Sequence, residues 1–248
     1  MSHPVTANLL AFDTSTEQLS VALRHGQTTF TCNEAGGALA SARLLPAVTR
    51  LLTQADLPLA QLDAIAFGCG PGAFTGLRTS ASVAQGLALG AQRPVLALDS
   101  LMIVADDARH QLPVTPALDI AVCMDARMDE VYAGLYRWQG ERWLTLAAPA
   151  LYSLPTLAAQ GWQAQAVCGS ALTAFGDRLA GFDGVAWRVA SEQDRAGALL
   201  RMAEQAWREG RLLDAAEALP LYLRDKVAQT TVERAAAKTL KALKAAAA

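Results

Sequence analysis

The sequence has few of the residues that build metal and disulfide sites. Its 248 residues include three histidines and four cysteines, all widely separated, with no HxxxH, HExxH or CxxC pair. This spacing argues against a catalytic zinc or iron site, and it predicts that the cysteines are small buried hydrophobic residues. We therefore expect no metal and no other cofactor.

The chain also lacks an excess of charge of either sign and a long apolar run. Lysine and arginine number 21 against 23 acidic residues, so the net charge is −2, while 52% of the residues are hydrophobic. Without a basic excess the chain is a poor candidate for binding nucleic acid unaided. No stretch approaches the length of a membrane span and none resembles a signal segment, so we expect a cytoplasmic protein.

Glycine is concentrated at one place, between 68 and 76, where four glycines and a proline fall in nine residues. A short apolar strand, 62–67, precedes this loop, and an alanine-rich helix, 77–91, follows it, with Thr75 as the predicted N-cap. A strand–glycine loop–helix unit can cradle an anion on its free amides. It can equally be a tight turn that brings a helix close to its sheet.

Two helices carry patterns that indicate packing. Ser82, Gly86 and Gly90 recur every four residues, which leaves one stripe of the 77–91 helix almost without side chains. Such a stripe packs closely against either the protein's own core or a partner helix. On the predicted helix 41–54, the apolar residues fall on one stripe: Leu44, Leu45, Val48, Leu51 and Leu52.

The second half of the chain repeats the first. Residues 12–23 lie over residues 124–135 at a constant offset of 112, and each copy reads strand, Asp, short turn, alternating strand. The predicted fold class is therefore α/β, with two tandem βββαβα repeats of ribonuclease H type. We expect an N-terminal domain over 1–110 with the partner-binding helices, and a C-terminal domain over 111–227. A tail rich in alanine and lysine, 228–248, should be a frayed helix or disordered.

A duplicated fold of this kind with Asp13-Thr14-Ser15-Thr16 after its first strand resembles the actin, sugar kinase and Hsp70 ATPase superfamily. The sequence Gly70-Pro71-Gly72-Ala73-Phe74-Thr75-Gly76-Leu77-Arg78 is similar to the signature of the TsaB (YeaZ) family of bacterial tRNA threonylcarbamoyladenosine biosynthesis proteins. Further similarities to that family lie at 84–88, 125–132 and 220–224. The resemblance covers about residues 8 to 227.

The resemblance implies a non-catalytic subunit that binds its paralogue TsaD, the transferase, together with the ATPase TsaE. It implies that tRNA is reached only through the complex and that no residue here is catalytic. TsaD-like chains carry HxxxH on their first helix, where this chain has Ser41-Ala42-Arg43-Leu44-Leu45. We expect the partner surface, which should also form a homodimer in isolation, to comprise Leu44, Leu45, Val48, Leu51, Leu52, Phe74, Thr75, Arg78, Ser82, Gly86 and Gly90.

Two other functions remain open from the sequence. A kinase-like ATPase of the superfamily would bind nucleotide between the halves, and a glycoprotease-like peptidase would need a nucleophile–histidine–acid set, of which the sequence gives no signature. Arg127 replaces Ser15 in the repeat alignment. It would either form a local salt bridge with Asp129 or Glu130, or face the cleft between the halves and bind an anion.

Overall fold

The computed structural model describes residues 7–224, which form two five-stranded sheets. The first half contains β1 Leu9–Asp13, β2 Gln18–His25, β3 Thr28–Ala35, α1 Ala40–Gln54, β4 Ala64–Gly70, α2 Phe74–Ala91, β5 Val95–Asp99 and α3 Ser100–Gln111. The second half contains β6 Leu118–Asp125, β7 Glu130–Trp138, β8 Trp143–Ser153, α4 Leu154–Ala158, β9 Ala166–Cys168, α5 Ala171–Phe175, β10 Trp187–Val189 and α6 Arg195–Arg208.

The two sheets have the same topology. Strand order is β3-β2-β1-β4-β5 in the first and β8-β7-β6-β9-β10 in the second. In each sheet the first three strands are antiparallel, and the last two are added parallel to the first strand of the repeat. The prediction of two tandem ribonuclease H-like βββαβα repeats is therefore confirmed.

The helices lie in three layers around the sheets. Helices α1 and α2 pack on the outer face of the first sheet, and α4 and α5 pack on the outer face of the second. Helices α3 and α6 lie between the two sheets, where their apolar residues join side chains from both halves in one core. Helix α6 follows the second sheet in sequence but packs against β1 and β2 of the first. The predicted boundary at 110/111 stays a prediction, and the tail 228–248 lies outside the described residues.

Helix α2 begins earlier than the sequence predicted. Its first residue is Phe74, and Ala73 occupies the cap position without any side-chain hydrogen bond. The prediction of Thr75 as N-cap is therefore wrong, since Thr75 lies inside the first turn of the helix. The reason is that the residues before it already close the helix, with the Leu77 amide bonded to the Ala73 carbonyl at 2.9 Å.

The apolar stripe of α1 divides between core and surface. Leu44, Val48 and Leu51 are fully buried against the first sheet. These three residues were expected at the partner surface, and the structure corrects that expectation, because each would have to leave the core to contact a partner. Leu52 is half-buried, and Leu45 is 48% exposed. The apolar stripe of α1 is therefore wider than the part of the helix surface that packs against the sheet.

The cysteines follow the sequence prediction in part. Cys123 and Cys168 are buried in the core, whereas Cys32 and Cys69 are half-buried, and all four are free thiols. Burial raises the pKa of both Cys69 and Cys123 to about 12. A thiol with so high a pKa is protonated at neutral pH and is a poor nucleophile.

Asp99 and Tyr136 join the two halves of the molecule. The Tyr136 hydroxyl on β7 donates a 2.7 Å hydrogen bond to Asp99 Oδ2, while Asp99 Oδ1 accepts from the Leu101 amide at the start of α3. Desolvation raises the pKa of Asp99 from 3.8 to about 6, even though these hydrogen bonds favour the charged carboxylate. The folded state therefore binds this proton more tightly than the unfolded state does.

Asp99→Asn should change how the stability of the protein depends on pH. Because the folded pKa is raised, the contribution of the Asp99 proton is fully present below the unfolded pKa and is lost as pH rises through about 6. Asparagine keeps an acceptor for Tyr136 but does not ionise. As pH rises from about 4 to about 7, the wild type should therefore lose stability that the variant keeps. We expect the difference in free energy of unfolding, variant minus wild type, to increase by about 1–3 kcal/mol over this range. Parallel urea-denaturation profiles for the two proteins would contradict this assignment.

Candidate functional site: the Asp13 turn, the cleft and the face of α1 and α2

The turn after β1 folds around the carboxylate of Asp13, which is completely buried. The Ser15 amide donates to Asp13 Oδ1 at 2.7 Å, and the Ser15 hydroxyl donates to Asp13 Oδ2 at 2.8 Å. Asp125 forms the same turn in the second repeat, accepting the Arg127 amide at 2.8 Å. The offset of 112 residues therefore holds for side-chain contacts as well as for strands.

Arg195 neutralises Asp13 from the far end of the chain. It lies at the first position of α6, has no exposed side-chain surface, and forms ion pairs with both Asp13 and Glu192. Its guanidinium also donates to the Ser15 hydroxyl at 3.2 Å. Burial alone would lower the pKa of Arg195, but the charges of Glu192 and Asp13 outweigh it, so the pKa is raised and the side chain stays charged. The Asp13 carboxylate is thus occupied by a cation of the protein itself.

The sequence contains a signal that points to Arg195. Arg195 precedes Leu199 by four residues and therefore lies on the inward stripe of α6, where Leu199 is fully buried. An arginine on an apolar helix face needs a buried acid as partner. Nothing in the sequence indicates which acid it is, because Asp13 and Arg195 are 182 residues apart.

The glycine loop packs against this turn. A Cβ atom on Gly68 would lie 2.4 Å from the Asp13 carboxyl carbon, one on Gly72 2.5 Å from the Ser15 carbonyl oxygen, and one on Gly76 1.8 Å from the Thr14 carbonyl oxygen. The Ala73 amide donates to the Ser15 carbonyl at 2.8 Å. Of the two interpretations of the loop, the tight turn that brings a helix close to its sheet is the one the structure has.

A cavity of about 650 Å³ lies between the two halves. Helix α3 and the ends of β6, β9 and β10 supply many of its apolar residues, and its charged residues are Glu17, Asp107, Asp125, Arg127, Glu192, Arg195 and Arg224. The Asp107 carboxylate caps the start of α6 by accepting from the amides of Gln193 and Asp194. A volume of this size suits a small ligand, while the lining charges sum to −1.

Residues 219–224, which we call the C-terminal strap, cross from one half to the other at this cavity. The Leu221 amide donates to the Cys69 carbonyl at 2.7 Å in the first half. Arg224 pairs with Glu130 at 2.7 Å and donates to the Ala126 carbonyl at 3.0 Å in the second half. The strap therefore connects the glycine loop with the turn between β6 and β7.

Arg127 lies at the cleft, as one of the two sequence interpretations expected. Its side chain is 75% exposed, and its guanidinium lies 3.2 Å from Asp125 and 3.4 Å from Glu17 of the other half. The alternative prediction, a local salt bridge of Arg127 with Asp129 or Glu130, is wrong. Asp129 pairs with Arg178, and Glu130 pairs with Arg224. Binding of an external anion by Arg127 stays a prediction.

The remaining predicted interface residues lie on one exposed surface. Ser82, Gly86 and Gly90 are exposed along α2, and a Cβ atom added to either glycine would meet no atom of the chain within 4 Å. The stripe therefore does not pack against this protein's own core. Thr75 and Arg78 are exposed on the first turns of α2, while Phe74 is half-buried. With Leu45 and Leu52 on α1, these residues form what we call the α1–α2 face.

The two described histidines contact backbone carbonyl oxygens, and His110 Nδ1 also lies 3.5 Å from the Asp106 carboxylate. His25 Nδ1 lies 3.1 Å from the Ala55 carbonyl oxygen, and His110 Nδ1 lies 2.8 Å from that of Asp106. Within residues 7–224 no three His, Cys, Asp or Glu side chains are grouped as metal ligands. Over the same range no helix is long and apolar enough to cross a bilayer.

The fold and the Asp13 turn define the class: a protein with two ribonuclease H-like repeats. The model of the TsaD family, tRNA N6-adenosine threonylcarbamoyltransferase, matches residues 38–232. The Escherichia coli TsaB protein is 34% identical over 234 residues, which cover 89% of this chain and 96% of that protein. The Haemophilus influenzae TsaB protein is 44% identical over 126 residues, about half of each chain. The chain belongs to the TsaB family, also called YeaZ.

Solved structures agree with this assignment. YeaZ from Pseudomonas aeruginosa is 39% identical, with a TM-score of 0.78 over 88% of this chain and 100% of that one. A second structure from the same organism, described as an uncharacterized protein with similarity to peptidase YEAZ, has the same identity and coverage with a TM-score of 0.80.

Replacing Asp13 should reveal the energy of the buried ion pair. Asp13→Asn leaves the Arg195 guanidinium with Glu192 alone in a buried site, so we expect a loss of about 3–5 kcal/mol in the free energy of unfolding. Arg195→Met should also destabilise, because it leaves two carboxylates buried without their cation. If the two side chains act as a pair, the double variant will lose less than the sum of the single losses, by about 1 kcal/mol or more. Additive losses in urea denaturation would contradict the pairing.

Proposed function

We infer that this chain is a non-catalytic assembly subunit in tRNA threonylcarbamoyladenosine biosynthesis. In this proposal its α1–α2 face binds a TsaD paralogue and activates that transferase together with the ATPase TsaE. The tRNA is bound only through the assembled complex, in the cytoplasm. The E. coli and H. influenzae relatives carry the name of this pathway, and the match to the TsaD model fits a subunit that is a paralogue of its partner.

The observation that carries the proposal is the bare stripe of α2. A glycine inside a helix costs about 1 kcal/mol relative to alanine, so two of them on one stripe require a compensating contact. Gly86 and Gly90 have no such contact with the residues that the structure describes. A partner helix that approaches closely would supply it. In isolation the same face is expected to pair with a second copy of the chain.

The state of Asp13 supports a subunit without its own active site. In the proposal Asp13 is structural, because its two oxygens already accept from Ser15 and Arg195. A carboxylate held in this way is not free to bind a substrate. No residue of this chain is therefore assigned a catalytic role.

The cavity between the halves favours nucleotide binding as a second candidate function. Its volume of about 650 Å³ is large enough for a nucleotide. Two observations argue against this candidate. The glycine loop packs closely against the Asp13 turn, and the residues that line the cavity have no excess positive charge. Titration of the isolated chain with ATP, and then of its mixture with TsaD, separates the two. Tight binding by the isolated chain, with hydrolysis, would favour the ATPase.

A reconstituted system tests the assembly role directly. TsaD and TsaE are supplied with threonylcarbamoyl donor, ATP and tRNA, with and without this chain, and modified adenosine is quantified. The proposal expects modification only when the chain is present and no turnover by the chain alone. Equal modification in its absence would refute the proposal. Peptide hydrolysis by the chain alone would instead favour the peptidase alternative.

Gly86→Leu should block the close approach of the partner. The side chain would project from the bare stripe into the partner helix, and we expect binding to TsaD to weaken by about 1–3 kcal/mol. The fold should not suffer, because leucine is a better helix former than glycine. Gly86→Ala adds a single methyl group and should have a smaller effect.

Gly184→Leu is the matched control for this experiment. Gly184 is also exposed, and an added Cβ atom there also meets nothing within 4 Å, but it lies in the second half, away from α1 and α2. Calorimetric titration should give wild-type affinity for this control. Wild-type affinity for Gly86→Leu as well would show that the stripe is not the interface.

Arg127→Ala tests the proposed anion contact at the cleft. We expect weaker recruitment of TsaE to the pair formed with TsaD in the presence of ATP, because a fixed planar cation would be lost. Thermal stability should change little, since an exposed ion pair contributes only about 0–1 kcal/mol. Arg178→Ala, which removes an exposed arginine paired with Asp129 at 3.1 Å, serves as the control. Equal recruitment by Arg127→Ala and this control would argue against the contact.

A further inference from the structure

The α1–α2 face differs in charge from the rest of the chain. Helices α1 and α2 together contain three arginines, Arg43, Arg50 and Arg78, and neither helix contains an aspartate or glutamate. The whole chain has a net charge of −2, so the remainder of the sequence has a net charge of −5. The face proposed for a partner is therefore both apolar and basic, on an otherwise acidic protein.

Arg78 is held in place by aromatic side chains and not by an acid. Its guanidinium carbon lies 3.9 Å from the centre of the Phe74 ring and 5.9 Å from that of Tyr222 on the C-terminal strap. Its Nε donates to the Tyr222 hydroxyl at 3.0 Å, and the two rings lie 5.1 Å apart. Among residues 7–224 no carboxylate lies within 4.0 Å of it.

This arrangement positions the charge for an external ligand. Stacking on an aromatic ring fixes the plane of a guanidinium and leaves its remaining N–H groups free to donate. The side chain of Arg78 remains exposed. By contrast, Arg50 on α1 is neutralised by Glu34 at 2.6 Å. Arg78 is thus an exposed cation, fixed by aromatic contacts, with no carboxylate within 4.0 Å in the described part of the chain.

Arg78 also continues the bare stripe of α2. It precedes Ser82 by four residues, so Arg78, Ser82, Gly86 and Gly90 lie in one row along the helix. A helix that packs along the glycines would extend over Arg78 at the N-terminal end. That helix would cover the guanidinium, and a covered cation without an anion is unfavourable.

A second copy of this chain satisfies Arg78 poorly. In an isologous dimer the α1–α2 faces would meet, and neither helix offers a carboxylate. Asp214 and Glu217, at the 215–217 turn, pack near α2. Both carboxylates are already engaged, because Asp214 accepts from the Ala216 amide and Glu217 accepts from the Asp214 amide. Like charges on the two copies would therefore oppose self-association.

We propose that Arg78 binds a carboxylate on the helix of a heterologous protein partner, and that this contact makes the face select that partner over a second copy of the chain. The inference rests on the proposed function, since the partner is the TsaD paralogue. The chemistry required of that partner is an aspartate or glutamate beside an apolar ridge that fits the Ser82–Gly90 stripe. Phe74 and Tyr222 are positioning residues that orient the guanidinium.

The experiment compares heterodimer and homodimer for the same variants. Arg78→Gln keeps a polar side chain of similar reach but removes the charge, and Arg78→Glu reverses it. Arg208→Gln is the matched control, because Arg208 is exposed on α6, away from the face, and its Nε donates to the Glu204 carbonyl at 3.4 Å. Binding to TsaD is measured by titration at about 0.05 and about 0.5 M NaCl, and self-association by analytical ultracentrifugation.

We expect Arg78→Gln to weaken the heterodimer about tenfold at low salt and to flatten its salt dependence, since a lost interfacial charge changes both. Arg78→Glu should weaken it further, while self-association should stay the same or become tighter in both variants. Tyr222→Phe, which keeps the ring and removes the hydroxyl, should show a partial loss. Arg208→Gln should behave as wild type.

Two results would overturn the inference. Unchanged heterodimer affinity for Arg78→Gln would show that the partner offers no carboxylate there. An equal loss of homodimer and heterodimer would show that a second copy satisfies the charge, with Asp214 or Glu217 as the acid. Failure of the wild-type chain to bind TsaD at all would instead refute the proposed function, so the two failures are distinguishable.

Discussion

The buried ion pair between Asp13 and Arg195 is the contact on which the centre of this structure depends. It fixes the turn after β1, and that turn fixes the glycine loop, because Gly68, Gly72 and Gly76 approach it too closely for any Cβ atom. The same contact holds the start of α6 against the first sheet. A buried charge without its partner is strongly unfavourable, so turn, loop and helix must form together.

This contact also bears on the two interpretations of the glycine loop. The sequence left open whether the loop cradles an anion or forms a tight turn that brings a helix close to its sheet. Here the carboxylate is neutralised internally, and the loop encloses a piece of its own chain. What remains between the halves is a cavity lined largely by apolar residues with paired charges at its edge. On the surface formed by residues 7–224, the stripe of α2 has no close contact at Gly86 or Gly90.

The α1–α2 face shows how packing and charge combine on one surface. Its helices are anchored from below by Leu44, Val48 and Leu51, which belong to the core and make the face rigid. Above them lie a stripe that lacks side chains and an arginine that lacks an acid. Backbone approach along glycines gives contact area, whereas a fixed charge gives discrimination between partners. The stripe concerns the shape of the face and the arginine concerns its electrostatics. Variants at the two places therefore test different parts of the same proposal.

The sequence by itself determined the repeated βββαβα units, because period-two and helical hydrophobic patterns are local and the second copy reinforces the first. It also determined the bare stripe of α2, since four-residue spacing places residues on one side of a helix wherever that helix lies. Only the tertiary structure decided which hydrophobic residues of α1 are core, that Arg195 reaches Asp13, and that Arg127 pairs with Glu17 and Asp125. Those outcomes depend on contacts between residues far apart in the chain, and a one-dimensional pattern fixes the direction a side chain faces but not what lies opposite it.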